Sequence, residues 1–339
     1  MHRVVITGSA GYLGSRLVEA LKGRGCAVLG VDMRPRAGQA LDRFVQCDIC
    51  DPTLPETIRD FGADTIIHAA FVVTPLHDTR ETRRVNVEGT RNVLRAAATA
   101  GPARLMVMSS ATAYGAWPDN PRPLDEDHPL RARHEFPYAA DKVAVEGLLT
   151  AFAAEHPAMA VSCVRPCIVG GPAMDNYLGR AMFDSRFMVQ LSGHDQPYQL
   201  LHEDDLVAAV VAILAGDGRG AFNVAPADAV RVSELGRRRG RRVMRIPFAF
   251  CWLLVWIGWT LRLPRPATPP GYLYFLRYPW VIRSRRLRDE LGFHFRHTTA
   301  ETMEGMIQLR ERQAGATVAP RPPVRADTTA VEAETAVVR

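Results

Sequence analysis

Short runs of β-branched and other apolar residues alternate with helix-like segments along the first two-thirds of the chain. The segments between the runs place apolar residues at helical spacing. Strands joined through helices form a parallel sheet covered on both faces, so the pattern predicts an α/β fold with a doubly wound parallel sheet. The predicted elements are, in order, RVVITG, a helix at 12–24, AVLGVD, TIIHAA, a helix at 81–99, RLMVMSS, a helix containing Tyr138, AVSCVRP, a helix at 198–214 and AFNVA.

The composition changes after residue 226, where arginine, tryptophan and proline become frequent. A chain of 339 residues is long enough for a large domain and a smaller one. We predict a nucleotide-binding core at 1–170 that is completed by 195–226, a mainly helical substrate cap at 171–194 and 227–313, and a disordered tail at 314–339. The tail is rich in Ala, Thr, Val, Pro and Arg without periodicity.

The six cysteines are scattered along the chain and do not resemble a disulfide framework. Cys47 and Cys50 form a C-x-x-C pair, but no second pair completes a zinc site. The first residues lead into an apolar strand without the basic region and cleavage site of a secretion signal. We therefore predict reduced thiols, a cytoplasmic protein and no metal site.

A glycine-rich turn follows the first strand and opens the first helix. Gly8, Gly11 and Gly14 have the spacing G-x-x-G-x-x-G. Glycine lets backbone amides approach a pyrophosphate, whose negative charge is stabilised at the N-terminus of the helix. The turn is therefore predicted to bind a dinucleotide.

The second predicted strand ends in Asp32, 24 residues after Gly8. A carboxylate at this position accepts hydrogen bonds from the ribose hydroxyls of an adenosine. Arg34 and Arg36 follow and are candidates to hold the 2′-phosphate of NADP, but Asp32 would repel that phosphate. NAD is therefore the predicted cofactor.

Lysine is rare in this chain. Of 42 strong bases only Lys22 and Lys142 are lysines, and Lys142 follows Tyr138 by four residues. Residues four apart on a helix share a face, so the two side chains point the same way. A nearby ammonium can lower the pKa of a phenol and make it a better base. The rare lysine is therefore predicted to serve chemistry at Tyr138.

Several ordered segments resemble the extended short-chain dehydrogenase/reductase superfamily, and within it the NAD-dependent epimerase/dehydratase family. The resemblance covers roughly residues 1–226 and implies a Rossmann-type fold. The matching segments are TGSAGYLG, Asp32, CDIC with Asp48, HAA at 68–70, NVEGTRNVL from Asn86, SSATAYG at 109–115, YAADK at 138–142, VRPCIVGGP and LHEDDLV.

The resemblance also implies which residues line the cofactor path. Tyr12 and Leu13 are expected to contact the pyrophosphate, and Asp48 and Ile49 the adenine. The backbone at Ala69 and Ala70 and the Asn86 side chain are expected to line the middle of the path, and the chain at Pro166 to approach the nicotinamide. Family members give His68 and His202 structural or cofactor-lining positions, which argues against a metal.

The family's catalytic residues map onto Ser110, Tyr138 and Lys142. The tyrosine is the acid/base, the lysine activates it and binds the ribose, and the serine hydroxyl holds the substrate oxygen. Ser109 is the weaker candidate for the hydroxyl.

Departures from the family pattern limit the reaction. Ala111 and Thr112 stand where dehydratases carry an Asp-Glu pair, which disfavours dehydration. Tyr198 stands where sugar-nucleotide epimerases carry a diphosphate-clamping arginine, and nothing in the sequence selects Arg180 or Arg186 as a substitute. We expect an oxidoreductase that moves hydride between NAD and a secondary alcohol or ketone of a lipophilic small molecule. The alternatives are a UDP-sugar 4-epimerase and a non-catalytic NAD-binding protein.

Fourteen arginines and a single acid, Glu234, lie between Arg231 and Arg288, although the chain carries a net charge of only +6. The same segment contains the most apolar run, at 246–261, which is too short to cross a bilayer. Three interpretations of this segment stay open: a buried cap helix, a surface that rests on an anionic membrane, and a nucleic-acid-binding surface. The sequence contains no recognisable nucleic-acid-binding module. We expect peripheral contact with the inner face of the membrane through 231–288, no nucleic acid, and a homodimer as one option.

Overall fold

The computed structural model describes residues 1–35, 40–174, 177–184, 187–263 and 268–313. These residues form two compact units. The first unit comprises 1–113, 137–165 and 207–222, and the second comprises 114–136, 166–206 and the chain from 223 onward. The predicted disordered tail, 314–339, lies outside the described residues.

The units divide the chain differently from the predicted domains, because four segments of the predicted core belong to the second unit: 114–136, 166–170, 195–206 and 223–226. Long-range hydrogen bonds tie the first of these segments there. The Asn120 side-chain amide donates to the Pro279 carbonyl at 2.9 Å. Such a contact between residues far apart in sequence leaves no local pattern by which to predict it.

The first unit contains most of the alternating elements that the sequence predicts. A π-helical turn, Arg84–Glu88, joins its third and fourth helices, and a 3-10 turn, Ala111–Tyr114, follows its fifth strand. The elements are β1 Arg3–Thr7, α1 Tyr12–Lys22, β2 Ala27–Asp32, β3 Arg43–Gln46, α2 Leu54–Phe61, β4 Thr65–His68, α3 Thr79–Arg83, α4 Gly89–Ala100, β5 Arg104–Met108, α5 Pro137–Glu155 and β6 Ala160–Pro166.

The later elements belong to the second unit or cross the boundary between the units. They are β7 Ile168–Gly170, α6 Tyr177–Gly179, β8 Phe187–Leu191, β9 Pro197–Tyr198, β10 Leu200–His202, α7 Glu203–Ala215, β11 Gly220–Val224, β12 Val230–Arg231, α8 Val232–Arg238, β13 Arg242–Ile246, α9 Phe248–Thr260, α10 Tyr274–Arg277, α11 Arg285–Leu291 and α12 Thr299–Gln313.

A central sheet of seven strands organises the described chain, in the order β11-β6-β5-β4-β1-β2-β3. The pairings from β3 through β6 are all parallel. The direction of strand addition reverses between β1 and β4, and in such sheets ligands bind at the carboxyl ends of the strands beside this switch point. The predicted doubly wound α/β fold is therefore confirmed, and β1 and β4 mark where a nucleotide belongs.

The predicted helix at 198–214 is wrong in its first part. Leu200–His202 instead form β10, which pairs in parallel with Ile168–Gly170. The helix begins only at Glu203, where three acidic residues occupy its first turn. Negative charge at a helix N-terminus is favourable, so these acids mark the true start.

A buried polar network holds α5 against the sheet. The Arg165 guanidinium, on β6, donates three hydrogen bonds to the Glu146 carboxylate, the shortest at 2.6 Å. The Ser109 hydroxyl donates to the same carboxylate at 2.5 Å. Both charged side chains are less than 10% exposed. Burial of two charges is tolerable only because they satisfy each other, so this pair fixes the position of α5.

Glu146→Ala should destabilise the fold by about 3–5 kcal/mol, because it leaves the Arg165 guanidinium buried without its partner. Glu88→Ala is the matched control, since it removes an exposed ion pair with Arg91 and should cost no more than about 1 kcal/mol. Urea unfolding of the three proteins measures both values. Equal losses in the two variants would contradict a structural role for the buried pair.

Candidate active site

The glycine-rich turn packs closely against the backbone that follows β4. Gly8 has φ 73°, and a Cβ placed on it would lie 2.6 Å from the Ala70 amide nitrogen and 2.8 Å from the Ala69 carbonyl carbon. A Cβ on Gly14 would lie 2.0 Å from the Gly8 carbonyl oxygen. Neither position accepts a side chain without moving the backbone, so both glycines are required by the local packing.

The same turn presents backbone donors. The helix α1 begins at Tyr12 directly after Gly11, so the amides of Tyr12, Leu13 and Gly14 have no carbonyl four residues back within the helix. First-turn amides of this kind bind anions. The glycine-rich turn and the first turn of α1 therefore fit the pyrophosphate of a dinucleotide.

Asp32 ends β2 beside this turn and is almost fully buried. Its Oδ2 accepts a hydrogen bond from the Ala10 amide, and its Oδ1 accepts one from the Arg34 amide, both at 2.9 Å. The exposed Arg34 side chain lies 3.5 Å from the same carboxylate, so it partly neutralises Asp32. Arg36, the other candidate for a 2′-phosphate, lies outside the described residues.

The loop after β3 is held by a hydrogen bond within it and by contacts with the segment at 84–89. The Asp48 carboxylate accepts from the Cys50 amide and from the Arg84 guanidinium, both at 2.9 Å. Burial alone would raise the pKa of Asp48, but these hydrogen bonds outweigh it and lower that pKa. Ile49 packs so closely on α4 that a Cβ on Gly89 would lie 2.5 Å from its Cδ1. Both predicted adenine contacts thus lie in an ordered loop.

Asn86 lies in the π-helical turn, and its side chain makes bonds within the protein. Its Oδ1 accepts from the Val72 amide at 2.8 Å, and its Nδ2 donates to the Asp141 carboxylate at 3.0 Å. Burial raises the pKa of Asp141. π-helical turns often occur at functional sites. This one connects the segment after β4 to α5 through Asn86, a link that the sequence analysis did not predict.

His68 has a structural role. Its Nδ1 lies 2.7 Å from the Thr7 hydroxyl, and its Nε2 lies 2.9 Å from the Thr90 hydroxyl. The Thr90 hydroxyl donates its hydrogen to the Asn86 carbonyl, so it accepts from Nε2, and Nδ1 accepts from Thr7. Burial lowers the pKa of His68 to about 3, which keeps the ring neutral.

His202 stacks on His297 with ring centroids 4.0 Å apart. Within the described parts of the chain no group of three or more His, Cys, Asp or Glu side chains is arranged to hold a metal ion.

The two neighbouring serines after β5 have different partners. The Ser110 hydroxyl accepts a hydrogen bond from the Thr112 hydroxyl at 3.0 Å, and it lies close enough to the Tyr138 phenol to act on the pKa of that group. Ser109 is engaged by Glu146 instead. The structure therefore brings Ser110 and Tyr138 together, and it assigns Ser109 to the network that holds α5.

Lys142 is buried beside Tyr138. Its Nζ donates to the Met108 carbonyl at 2.7 Å and lies 5.7 Å from the centroid of the Tyr138 ring. Burial lowers the pKa of Lys142 to about 7. Burial also raises the pKa of Tyr138 to about 12, although the neighbouring Ser110 side chain acts to lower it. The sequence predicted a lowered pKa for this phenol, so the direction is the opposite. Desolvation has the largest effect on both groups: it disfavours the phenolate of Tyr138, and it also disfavours the Lys142 ammonium that would have stabilised the phenolate.

Phe71 completes this group and was missed by the sequence analysis. Its ring centroid lies 3.3 Å from Lys142 Nζ, and the ring meets the Tyr138 ring edge-on at 5.6 Å. A cation over an aromatic face is stabilised by the electron-rich ring. The only sequence signal is the position of Phe71 directly after the HAA segment.

The remaining predicted positions lie in the second unit. Pro166 is the buried last residue of β6. Tyr198, at the position of the missing arginine, is buried in β9, and burial raises the pKa of its hydroxyl. Arg180 is exposed on a π-helical turn, and Arg186 lies outside the described residues.

The chain is similar to several known proteins. A model of the NAD dependent epimerase/dehydratase family matches residues 4–225. An uncharacterized protein of Mycobacterium tuberculosis is 30% identical over 321 residues, covering 91% of this chain and 84% of that protein. A 4-hydroxy-2-methyl-3-oxo-4-farnesyl-3,4-dihydroquinoline-1-oxide ketoreductase of Stigmatella aurantiaca is 33% identical over 176 residues, 50% of this chain and 51% of that enzyme. The structure of MoeE5 in complex with UDP-glucuronic acid and NAD has a TM-score of 0.72 at 25% identity, covering 92% of this chain and 99% of that one.

Because the chain has only two lysines, selective isotope labelling of lysine gives two side-chain NMR signals to follow with pH. The Lys142 signal should titrate near pH 7, with a charged amine below and a neutral amine above, because burial disfavours the ammonium. Lys22→Arg identifies the other, more exposed lysine. A Lys142 amine that stays charged well above pH 8 would contradict the buried environment described here.

Proposed function

Because the chain belongs to the NAD-dependent epimerase/dehydratase family, we propose that it moves hydride between NAD and a secondary alcohol or ketone, with Ser110, Tyr138 and Lys142 as its catalytic residues. The observation that carries this proposal is the close placement of Tyr138 and the buried Lys142 amine, whose Nζ lies 5.7 Å from the centroid of the Tyr138 ring, with the Ser110 hydroxyl near the same phenol. These are the groups that proton transfer to or from a substrate oxygen needs.

The residues around the glycine-rich turn fit NAD. The first-turn amides of Tyr12, Leu13 and Gly14 suit the pyrophosphate, and the Asp32 carboxylate suits the adenosine ribose. The loop at Asp48 and Ile49 and the backbone at Ala69 and Ala70 line the rest of the path, toward the chain at Pro166. When bound, NAD accepts or donates the hydride. Asn86 acts on this path as a positioning residue, because its side chain is bonded to Val72 and Asp141.

Tyr138 exchanges the proton that accompanies hydride transfer. In the reductive direction the phenol, whose raised pKa keeps it protonated, donates its proton to the carbonyl oxygen of the substrate. In the oxidative direction the deprotonated Tyr138 oxygen takes the hydroxyl proton, with the Lys142 amine beside it. Ser110 holds the substrate oxygen during the exchange. Phe71 covers the Lys142 amine on one side and keeps water from it.

The substrate we propose is lipophilic. Thr112 hydrogen-bonds Ser110 and offers no carboxylic acid for elimination of water. Tyr198 is buried and uncharged at the position where a diphosphate clamp would need an arginine. The ketoreductase of Stigmatella aurantiaca, whose name specifies a farnesyl substrate, supports the same class.

UDP-sugar 4-epimerisation is the second candidate. The favouring observation is the similarity over almost the whole chain to MoeE5, which was solved with UDP-glucuronic acid and NAD. The same three catalytic residues would serve it, because epimerisation removes and returns a hydride at one carbon.

Tyr138→Phe and Ser110→Ala should each lower turnover by about 10²–10⁴-fold, since they remove proton transfer or its orientation, while NAD affinity changes little. Lys142→Arg should also fail, because a planar guanidinium does not replace a compact ammonium between the Met108 carbonyl and the Phe71 ring. Steady-state kinetics with NAD fluorescence titration measure both quantities.

The matched control for these variants is Ser109→Ala, which changes the adjacent serine and should lower stability but leave turnover of the folded protein near the wild-type value. A Ser110→Ala enzyme as active as Ser109→Ala would refute the assignment of Ser110.

A substrate panel separates the two candidate functions. A hydrophobic ring ketone, tested with NADH, should be reduced with stoichiometric loss of NADH absorbance, and UDP-glucose should not be converted to UDP-galactose. Mass spectrometry of small molecules retained by the purified protein narrows the panel. Interconversion of the two UDP-sugars without net NADH change, and no activity on the ketones, would replace the lipophilic substrate by a sugar nucleotide.

A further inference from the structure

We propose that the helix α9 and its flanking arginines form a docking surface for an anionic lipid bilayer, on which the protein rests without crossing it. This surface lies within the second unit. The proposal concerns the surface alone and does not depend on the reaction proposed above.

The helix α9 has two apolar sides, and only one of them is covered. Its 13 residues include no charged side chain. Cys251 and Val255 are buried in a cluster with Leu191 and Leu273, and Gly258 lies on the same buried side. Packing within the second unit therefore accounts for one side of the helix only.

The other side of α9 is exposed. Of the eleven large apolar side chains exposed in the described chain, seven lie between residues 250 and 263. Monomeric soluble proteins rarely expose so continuous an apolar surface, so such a patch marks an interaction site. The seven are Phe250, Leu253, Leu254, Trp256, Ile257, Leu261 and Leu263.

Exposed arginines flank this patch in sequence on both sides. Arg241, Arg242 and Arg245 precede the helix, and Arg262 lies two residues after its last residue. These four make no ion pair within the described residues, and the sequence contains no acid between residues 235 and 288. Each basic residue near an anionic membrane surface contributes about 1 kcal/mol to binding. The charge is thus complementary to anionic headgroups, and the apolar centre to acyl chains.

The dimensions fit a helix that lies in the membrane interface. Thirteen residues extend about 20 Å, whereas a hydrocarbon core is about 30 Å thick. No helix in the described ranges is both long and apolar enough to span a membrane. Trp256 is 45% exposed and stacks on Trp252, and indole side chains are favourable at the boundary between headgroups and acyl chains.

Charge argues against other occupants of this surface. A symmetric dimer formed through α9 would bring the same arginines of two copies together, which like-charge repulsion opposes. A nucleic acid would pair with the arginines but leave the apolar side in water. An anionic bilayer satisfies both parts of the surface.

Flotation of the full chain with phosphatidylcholine vesicles, with and without phosphatidylglycerol, tests the proposal. We expect binding to the anionic vesicles at low salt, weaker binding at high salt because exposed charges are screened, and a blue shift of tryptophan emission on binding. Failure to bind anionic vesicles at low salt would overturn the proposal.

Two pairs of variants locate the surface. Leu254→Gln should weaken vesicle binding by about tenfold or more, and its control Leu76→Gln, at another exposed leucine, should not. Arg242→Gln with Arg245→Gln should weaken binding by about thirtyfold, and the same charge removal at the exposed Arg43 and Arg95 should weaken it much less.

Unchanged thermal unfolding confirms that each variant is folded. Equal effects in variants and controls would refute a specific surface, and a dimer that dissociates only in Leu254→Gln would assign the surface to a second copy instead.

Discussion

The buried ion pair between Glu146 and Arg165 is the constraint on which the candidate site depends. It joins the middle of α5 to β6, and Ser109 extends it to the end of β5. Because a lone charge at either position would be strongly unfavourable, α5 has one allowed position along the sheet. Lys142 lies one helical turn before Glu146 and Tyr138 one turn before that. The network that sets the helix therefore also sets the two groups at which proton transfer is proposed.

A second set of bonds places the segment that faces α5. Asn86 connects the Val72 backbone to Asp141, and Phe71 lies next in the chain to that backbone. The Phe71 ring is thereby fixed against both Tyr138 and Lys142. The buried hydrogen bonds of Asn86 thus fix the orientation of the Phe71 ring. The ring's own aromatic contacts are less directional and would not fix it alone.

The sequence predicts those features that depend on residues near each other in the chain. The glycine spacing predicts the turn at Gly8, and the four-residue spacing predicts that Tyr138 and Lys142 lie together. The sequence does not predict how strongly burial acts on these two groups, because desolvation depends on everything packed around them, and the expected direction for Tyr138 was wrong. The sequence-based prediction of a helix is also wrong at 198–202, because Leu200–His202 pairs with Ile168–Gly170 although the residue pattern is helical. Phe71 and Asp141 went unrecognised because their roles come from contacts with α5 and with Asn86.

The close approach between Gly8 and Ala70 has a consequence for how the protein can evolve. Any side chain at Gly8 must displace the backbone at 69–70, and Phe71 is the next residue in that backbone. Phe71 in turn touches the amine of Lys142. A substitution at Gly8 would therefore be transmitted through Phe71 to the groups at which proton transfer is proposed. On the proposed mechanism, a change at Gly8 would alter cofactor affinity and the chemical step together, whereas a change at a residue farther from Phe71, such as Arg34, would alter cofactor affinity alone.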